Sequence, residues 1–169
     1  MLSNTVLKAI QERRSVFRFK PDAVDQDKID AIIEAGRWAP SFVNSQPWSI
    51  IVVKDKETKR KLRELAITIT GIGIEESPVT LVVTVDTQKD PHHYVEDGAA
   101  ATENMALAAH SLGLGAGWIG IWGTEAETSI QQLLKLPETV RAVSLLPIGI
   151  PDESPEGHRK PLEELTQFR

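Results

Sequence analysis

The chain has 169 residues, a net charge of -5 and a pI near 5.4, with 41% hydrophobic and 25% charged residues. That balance argues against a disordered polyanion and a basic nucleic-acid binder, and supplies enough apolar residues for a buried core in a single domain spanning 1–169. The lack of cysteine excludes disulfides, thiol catalysis and thiolate-held metals, and no apolar run approaches the length of a membrane helix, so the expectation is an intracellular, cytoplasmic protein.

Residues 4–13 carry Val6, Leu7 and Ile10 at helical spacing, and 25–36 carry Ile29, Ile32 and Ile33, with Asp25 as cap and Gly36 as stop. Both predict amphipathic helices. After a polar turn, the β-branched run 49–53 predicts a strand, 54–66 a charged helix with a solvated face, and 79–85 a valine-rich strand. Residues 96–112 are alanine-rich and apolar on several sides, which suits a helix in the middle of the domain, with Gly98 as its one internal cost. Gly113 and Gly115 then stop that helix, WIGIW at 118–122 predicts a strand, 125–134 a helix and 140–148 another strand. A proline- and charge-rich tail follows from Pro151. The order of elements, without repeat or linker, indicates an α+β layered domain.

Most catalytic signatures are absent or misplaced. Gly115, Gly117 and Gly120 match G-x-G-x-x-G, but a dinucleotide fingerprint follows a strand and opens a helix, whereas these glycines close a helix and lead into a strand. His92, His93, His110 and His158 lack helical metal-ligand spacing, so no metal is expected. No G-x-S-x-G elbow and no phosphate-binding P-loop occurs. Two basic clusters remain: Arg13, Arg14 and Ser15 in ERRS, and Arg159 and Lys160 in GHRK. Locally, the first compensates a helix C-terminus and the second is a solvated extension. Brought together, guanidinium forks and a hydroxyl suit a phosphate monoester.

The stretch APSFVNSQPW, between the second helix and the first strand, resembles the segment by which the nitroreductase family of FMN-dependent oxidoreductases is recognised. RRS followed by F-x-F-K-P-D is similar to that family's start. EDGAAATENMALAAHSLGLGAGWIGIW resembles its central helix, glycine turn and flavin-edge strand, and LPIGIPDE with HRKPLEEL its closing strand and tail. The resemblance covers essentially the whole chain, in order. It implies a three-layer α/β/α sandwich around a central, mostly antiparallel mixed sheet.

It also implies FMN as cofactor, held at its phosphate by Arg13, Ser15 and Arg159, with Arg14 along the ribityl chain. Pro40, Ser41 and Asn44, with Phe42 between them, would approach the flavin from the partner of a homodimer, across which the tail from about 151 would lie. The rigid turn between Trp38 and Trp48 would thus present amides and hydroxyls to a planar ring, and the backbone at Gly120 would meet flavin N5. The implied reaction is ping-pong: NADH or NADPH reduces the flavin by hydride transfer, then a small acceptor such as a nitroaromatic or quinone is reduced. No side chain acts as nucleophile. Three positions depart from the family pattern. Phe17 stands where a cation near flavin N1 is usual, with Arg18 one place later; 66–78 has no lysine or asparagine for the ring; and Ile121 replaces a second glycine. Loss of the cation would make reduction harder. A flavin-modifying or flavin-consuming enzyme, and a non-enzymatic FMN-binding protein, are the alternative readings.

Overall fold

A computed structural model describes residues 4–66 and 71–169. The elements run α1 (Thr5–Glu12), α2 (Gln26–Arg37), β1 (Trp48–Val53), α3 (Lys56–Ala66), α4 (Ile72–Glu76), β2 (Val79–Asp86), α5 (Tyr94–Ser111), β3 (Gly115–Ala116), β4 (Ile119–Gly120), α6 (Glu125–Leu133) and β5 (Val140–Gly149). Every described strand pair is antiparallel, in the order β1-β2-β5, with β3 and β4 both paired to the outer side of β5. A parallel bridge from Ser15 to Ala116 makes the sheet mixed.

The alternation of β2 assigns its two faces. Val79, Leu81 and Val83 join Ile29 and Ile32 of α2 and Met105, Ala106 and Ala109 of α5 in one buried cluster. Val82 joins Leu62 of α3, Ile74 of α4 and Ile130 of α6 in the other. Helices therefore cover both faces of the sheet, which accounts for a strand whose first seven residues are all buried. β5 contributes Leu146 and Ile148 to one face and Leu145 and Ala142 to the other. The three-residue step from 142 to 145 reflects a bulge: Val83 pairs with Ser144 but Thr84 pairs with Ala142, leaving Val143 extra.

Several expectations are revised by packing. Helix α1 is capped by Asn4, whose side chain accepts from the Leu7 N–H at 2.9 Å, yet it buries none of its residues. Asp25 makes no side-chain cap. Gly36 is not a stop but an internal residue of α2, where an added Cβ would lie 2.8 Å from Met105 Cγ; it lets α2 and α5 approach closely. Gly98 does the same for α5 against the sheet, 3.0 Å from Val85 and Val143 methyls. Helix α5 begins at Tyr94 and ends in a Schellman arrangement: Gly113, at φ +76, donates to His110 O and Leu114 donates to Ala109 O. Gly115 belongs to β3 rather than to the stop. The strand expected at 118–122 is shortened to β4 (Ile119–Gly120), and β3 precedes it at 115–116, with Gly117 passing the 15–20 segment between them. Of the ring-contact segment 66–78, residues 67–70 lie outside the described residues, and 72–76 form α4.

Candidate functional site

The C-cap of α1 delivers Arg13 and Arg14 into a cavity of about 140 Å³, bounded by Ala106 and His110 of α5, residues 114–116 and the start of the tail. Arg13 is 18% exposed at its side chain and lies 3.5 Å from Glu103 Oε1 through its Nε. Arg14 donates from one terminal nitrogen to Gln11 O at 2.7 Å and Arg13 O at 2.8 Å, closing the end of α1. The Nε atoms of both guanidiniums are buried without a hydrogen-bond acceptor; the Arg13–Glu103 approach is an ion pair without hydrogen-bond geometry. A buried N–H left unpaired costs about 1–3 kcal/mol. Both arginines line the cavity, and guanidinium groups suit an oxyanion, so the lining fits a phosphate.

The chain then runs extended along the sheet edge. Ser15 bridges Ala116, Val16 N–H donates to Ala116 O at 3.0 Å, and Lys20 N–H to Ile150 O at 2.9 Å. Phe17 packs its ring on Gly117, and its N–H and that of Arg18 donate to Glu153 Oε1 at 2.6 and 3.1 Å. Arg18 turns to Glu76 on α4, 2.6 Å away. Arg159 is not brought to the arginine cavity within one chain: it is exposed and donates to His158 O at 2.8 Å.

The polar turn is held from α5. Asp97, 6% exposed, accepts from Phe42 N–H at 3.1 Å and from Ser45 Oγ at 3.3 Å. Ser41 Oγ accepts from Gln46 N–H at 3.0 Å, and Gln46 Nε2 donates to Asn44 Oδ1 at 3.1 Å. Val43, Asn44 and Gln46 all have positive φ, at 45, 60 and 46°. For β-branched Val43, which is 80% exposed, that conformation is strained, and strain of this kind marks functional segments. Trp38 is exposed on one side of the turn, while Trp48 is half-buried and opens β1 opposite Val85. Asp97 carries no local sequence signal beyond being an acid in the first turn of a buried helix. Asp97→Ala should lower stability by about 1.5–3 kcal/mol, because it removes a charged acceptor from donors that remain in place. Denaturant unfolding measures this, and Asp97→Asn should recover part of it.

Gly120 sits on the open side of β4. Gly117 N–H donates to Pro147 O and Ile121 N–H to Val143 O, with Ile119 opposite Leu145, so strand alternation turns the Gly120 N–H away from β5. An added Cβ at Gly120 would meet nothing within 4 Å. Ser144, its partner on β5, touches Thr102 of α5 through their hydroxyls at 2.8 Å. His110 beside the arginines is thus eight residues along α5 from Thr102, or roughly 12 Å. Asp97 and the turn are thirteen residues from His110, about 20 Å, so the turn of one chain stands well apart from that chain's own arginine cavity.

Residues 10–71 and 68–150 match the Nitroreductase family. The chain belongs to the nitroreductase family. This nitroreductase chain is 38% identical over 153 residues to a Methanothermobacter thermautotrophicus protein named "Putative NADH dehydrogenase/NAD(P)H nitroreductase", covering 89% of this chain and 79% of the relative. It is 34% identical over 189 residues to the FMN reductase [NAD(P)H] of Bacillus subtilis, covering 95% and 73%. A Desulfovibrio desulfuricans protein solved in complex with FMN superposes with a TM-score of 0.87 at 31% identity, covering 99% of this chain and 98% of that one. The α+β nitroreductase-like fold is established, and the protein is an oxidoreductase of that family. Among the described residues no three His, Asp or Glu side chains are grouped to hold a metal ion, and no helix is long and apolar enough to cross a membrane.

Proposed function

We propose that the protein is an FMN-dependent oxidoreductase that takes electrons from NADH or NADPH and passes them to a small acceptor such as a nitroaromatic or quinone. The observation that carries this reading is the pair of arginines, Arg13 and Arg14, lining one cavity that begins at Ala106, about one turn along α5 from Thr102 below the open Gly120 edge. One end suits a phosphate, and the other leaves a backbone N–H free for the ring. When bound, FMN supplies hydride acceptance and delivery, in ping-pong order. Arg13 and Ser15 would hold its phosphate and Arg14 would lie along the ribityl chain, while Phe17 and Gly117 wall the adjacent strand. The Gly120 N–H would meet the ring without a side chain in the way.

The working unit in this reading is a cytoplasmic homodimer of 169-residue single-domain chains. Pro40, Ser41, Phe42 and Asn44 reach the flavin held by the partner, and the tail from about 151 crosses the partner, carrying Arg159 toward a phosphate. Three unpartnered apolar features support the dimer. Val6 and Ile10 project from α1; a groove of about 320 Å³ runs between α1, α2 and α5; and Leu162, Leu165 and Phe168 are exposed along the tail, Phe168 at 98%. Sedimentation should give a dimer; a monomer retaining FMN contradicts the shared site.

The decisive experiment is an anaerobic titration of the purified yellow protein with NADH and NADPH. Stoichiometric bleaching that an added quinone or nitroaromatic reverses is the expected result. Irreversible loss of flavin would show a flavin-consuming enzyme, and colour that neither nicotinamide bleaches would show a flavin-binding protein.

A further inference from the structure

We propose that Glu127 is a positioning residue whose carboxylate holds the chain after β4 so that Gly120 presents its N–H at the flavin edge. The inference rests on the placement of Gly120 proposed above.

Gly120 has no side chain to be held by, so the direction of its N–H is inherited from the residues that follow. Those residues are fixed from three sides. Val143, the extra residue in the β5 bulge, offers its carbonyl to Ile121 N–H at 3.1 Å and Trp122 N–H at 3.3 Å. Thr124 donates to Ile121 O from its hydroxyl at 2.5 Å and from its N–H at 3.1 Å. Glu127, in the first turn of α6, accepts from Gly123 N–H at 2.8 Å through Oε2 and from Arg141 Nε through Oε1. Gly123 has φ +72, so the chain reverses at the carboxylate.

Glu127 is 2% exposed, a depth at which a carboxylate persists only with partners for its charge and lone pairs. The packing of α6 does not call for it, since Ile130 fills the core below that helix. A hydrocarbon at 127 would serve packing as well. What it lacks is a directional acceptor for Gly123 N–H. The hydrogen bond to the carboxylate also holds the Arg141 pKa above its ordinary value, so the guanidinium on β5 stays charged and paired with Glu127 beside this segment.

Amide hydrogen exchange on the flavin-free protein tests the clamp directly. In Glu127→Ala the amides of 121–123 should exchange roughly tenfold faster, while β2 amides keep their wild-type rates. Glu127→Gln keeps an acceptor oxygen but loses the charge-assisted pair, and should fall between. Loaded with FMN, Glu127→Ala should shift the two-electron potential by about 30 mV, equivalent to a tenfold change in relative affinity for the two redox states. Glu127→Gln should shift it less. Unchanged exchange at 121–123 in both variants overturns the clamp. Faster exchange, with the potential and absorption maxima of bound FMN at their wild-type values, overturns the placement of Gly120, and the positioning role falls with it. Where Glu127→Ala does not fold, the same two readings on Glu127→Gln decide.

Discussion

Gly117→Ala should cost about 3 kcal/mol of stability, although it adds a single methyl group. The new Cβ would stand 2.6 Å from the carbonyl oxygen of Val16 and against the ring of Phe17. Neither neighbour is free to retreat. Val16 is tied by its N–H to Ala116 O, Phe17 by its N–H to Glu153, and Gly117 itself by its N–H to Pro147 O. The strand would have to leave β5 or the 15–20 segment would have to leave the sheet edge. For a chain of this length the loss corresponds to a fall in Tm of roughly 6–12 °C, measurable by thermal unfolding without flavin. Gly120→Ala is the control, because its Cβ meets nothing within 4 Å. It should unfold close to wild type but bind FMN more weakly, since its methyl would occupy the space proposed for the ring. Equal stability losses in the two variants would show that close packing at 117 is not what constrains this strand.

Arg13→Ala should weaken FMN binding by about 1.5–3 kcal/mol, or roughly 10- to 150-fold, while changing the flavin-free stability little. The asymmetry follows from the surroundings of the guanidinium. Its Nε is buried without an acceptor, so removing it relieves a penalty as well as an exposed-side ion pair with Glu103. An anion in the cavity that Arg13 lines would add a charge-assisted partner for the guanidinium. Riboflavin lacks the phosphate, and its weaker binding should therefore be nearly indifferent to the substitution. Isothermal titration of both ligands into both proteins closes a thermodynamic cycle. An equal loss for riboflavin and FMN would mean that Arg13 does not meet the phosphate.

Much of the architecture was legible in the sequence because the relevant signals are local. The isoleucines of α2, the valine run of β2 and the alanine-rich α5 declare their elements through spacing and composition, and each forms close to its expected bounds. The RRS and APSFVNSQPW motifs identified the family, since residue types at short range are what such motifs preserve. Helix caps and stops were less legible. Asp25 and Gly36 have the right identities for cap and stop, but Asp25 makes no cap bond and Gly36 is a contact residue against Met105. A glycine needed for a left-handed turn and one needed for helix contact are the same letter.

What the sequence by itself determined is the α+β class, the order of the principal helices and strands, nitroreductase membership, and a pair of arginines at the end of the first helix. What only the tertiary structure decided is how distant polar groups meet. Asp97 reaches Phe42 across 55 positions, Glu153 reaches Phe17 across 136, and Glu127 ties Gly123 to Arg141 on another strand. The physical reason is the range of the forces involved. Periodicity records which face of an element is buried, and burial repeats every two or 3.6 residues. A hydrogen bond joins single atoms at one distance, and a partner far along the chain leaves no periodic trace. The same holds for the break between β3 and β4, where Val16 and Phe17 approach Gly117, an approach that nothing in the local spacing announces.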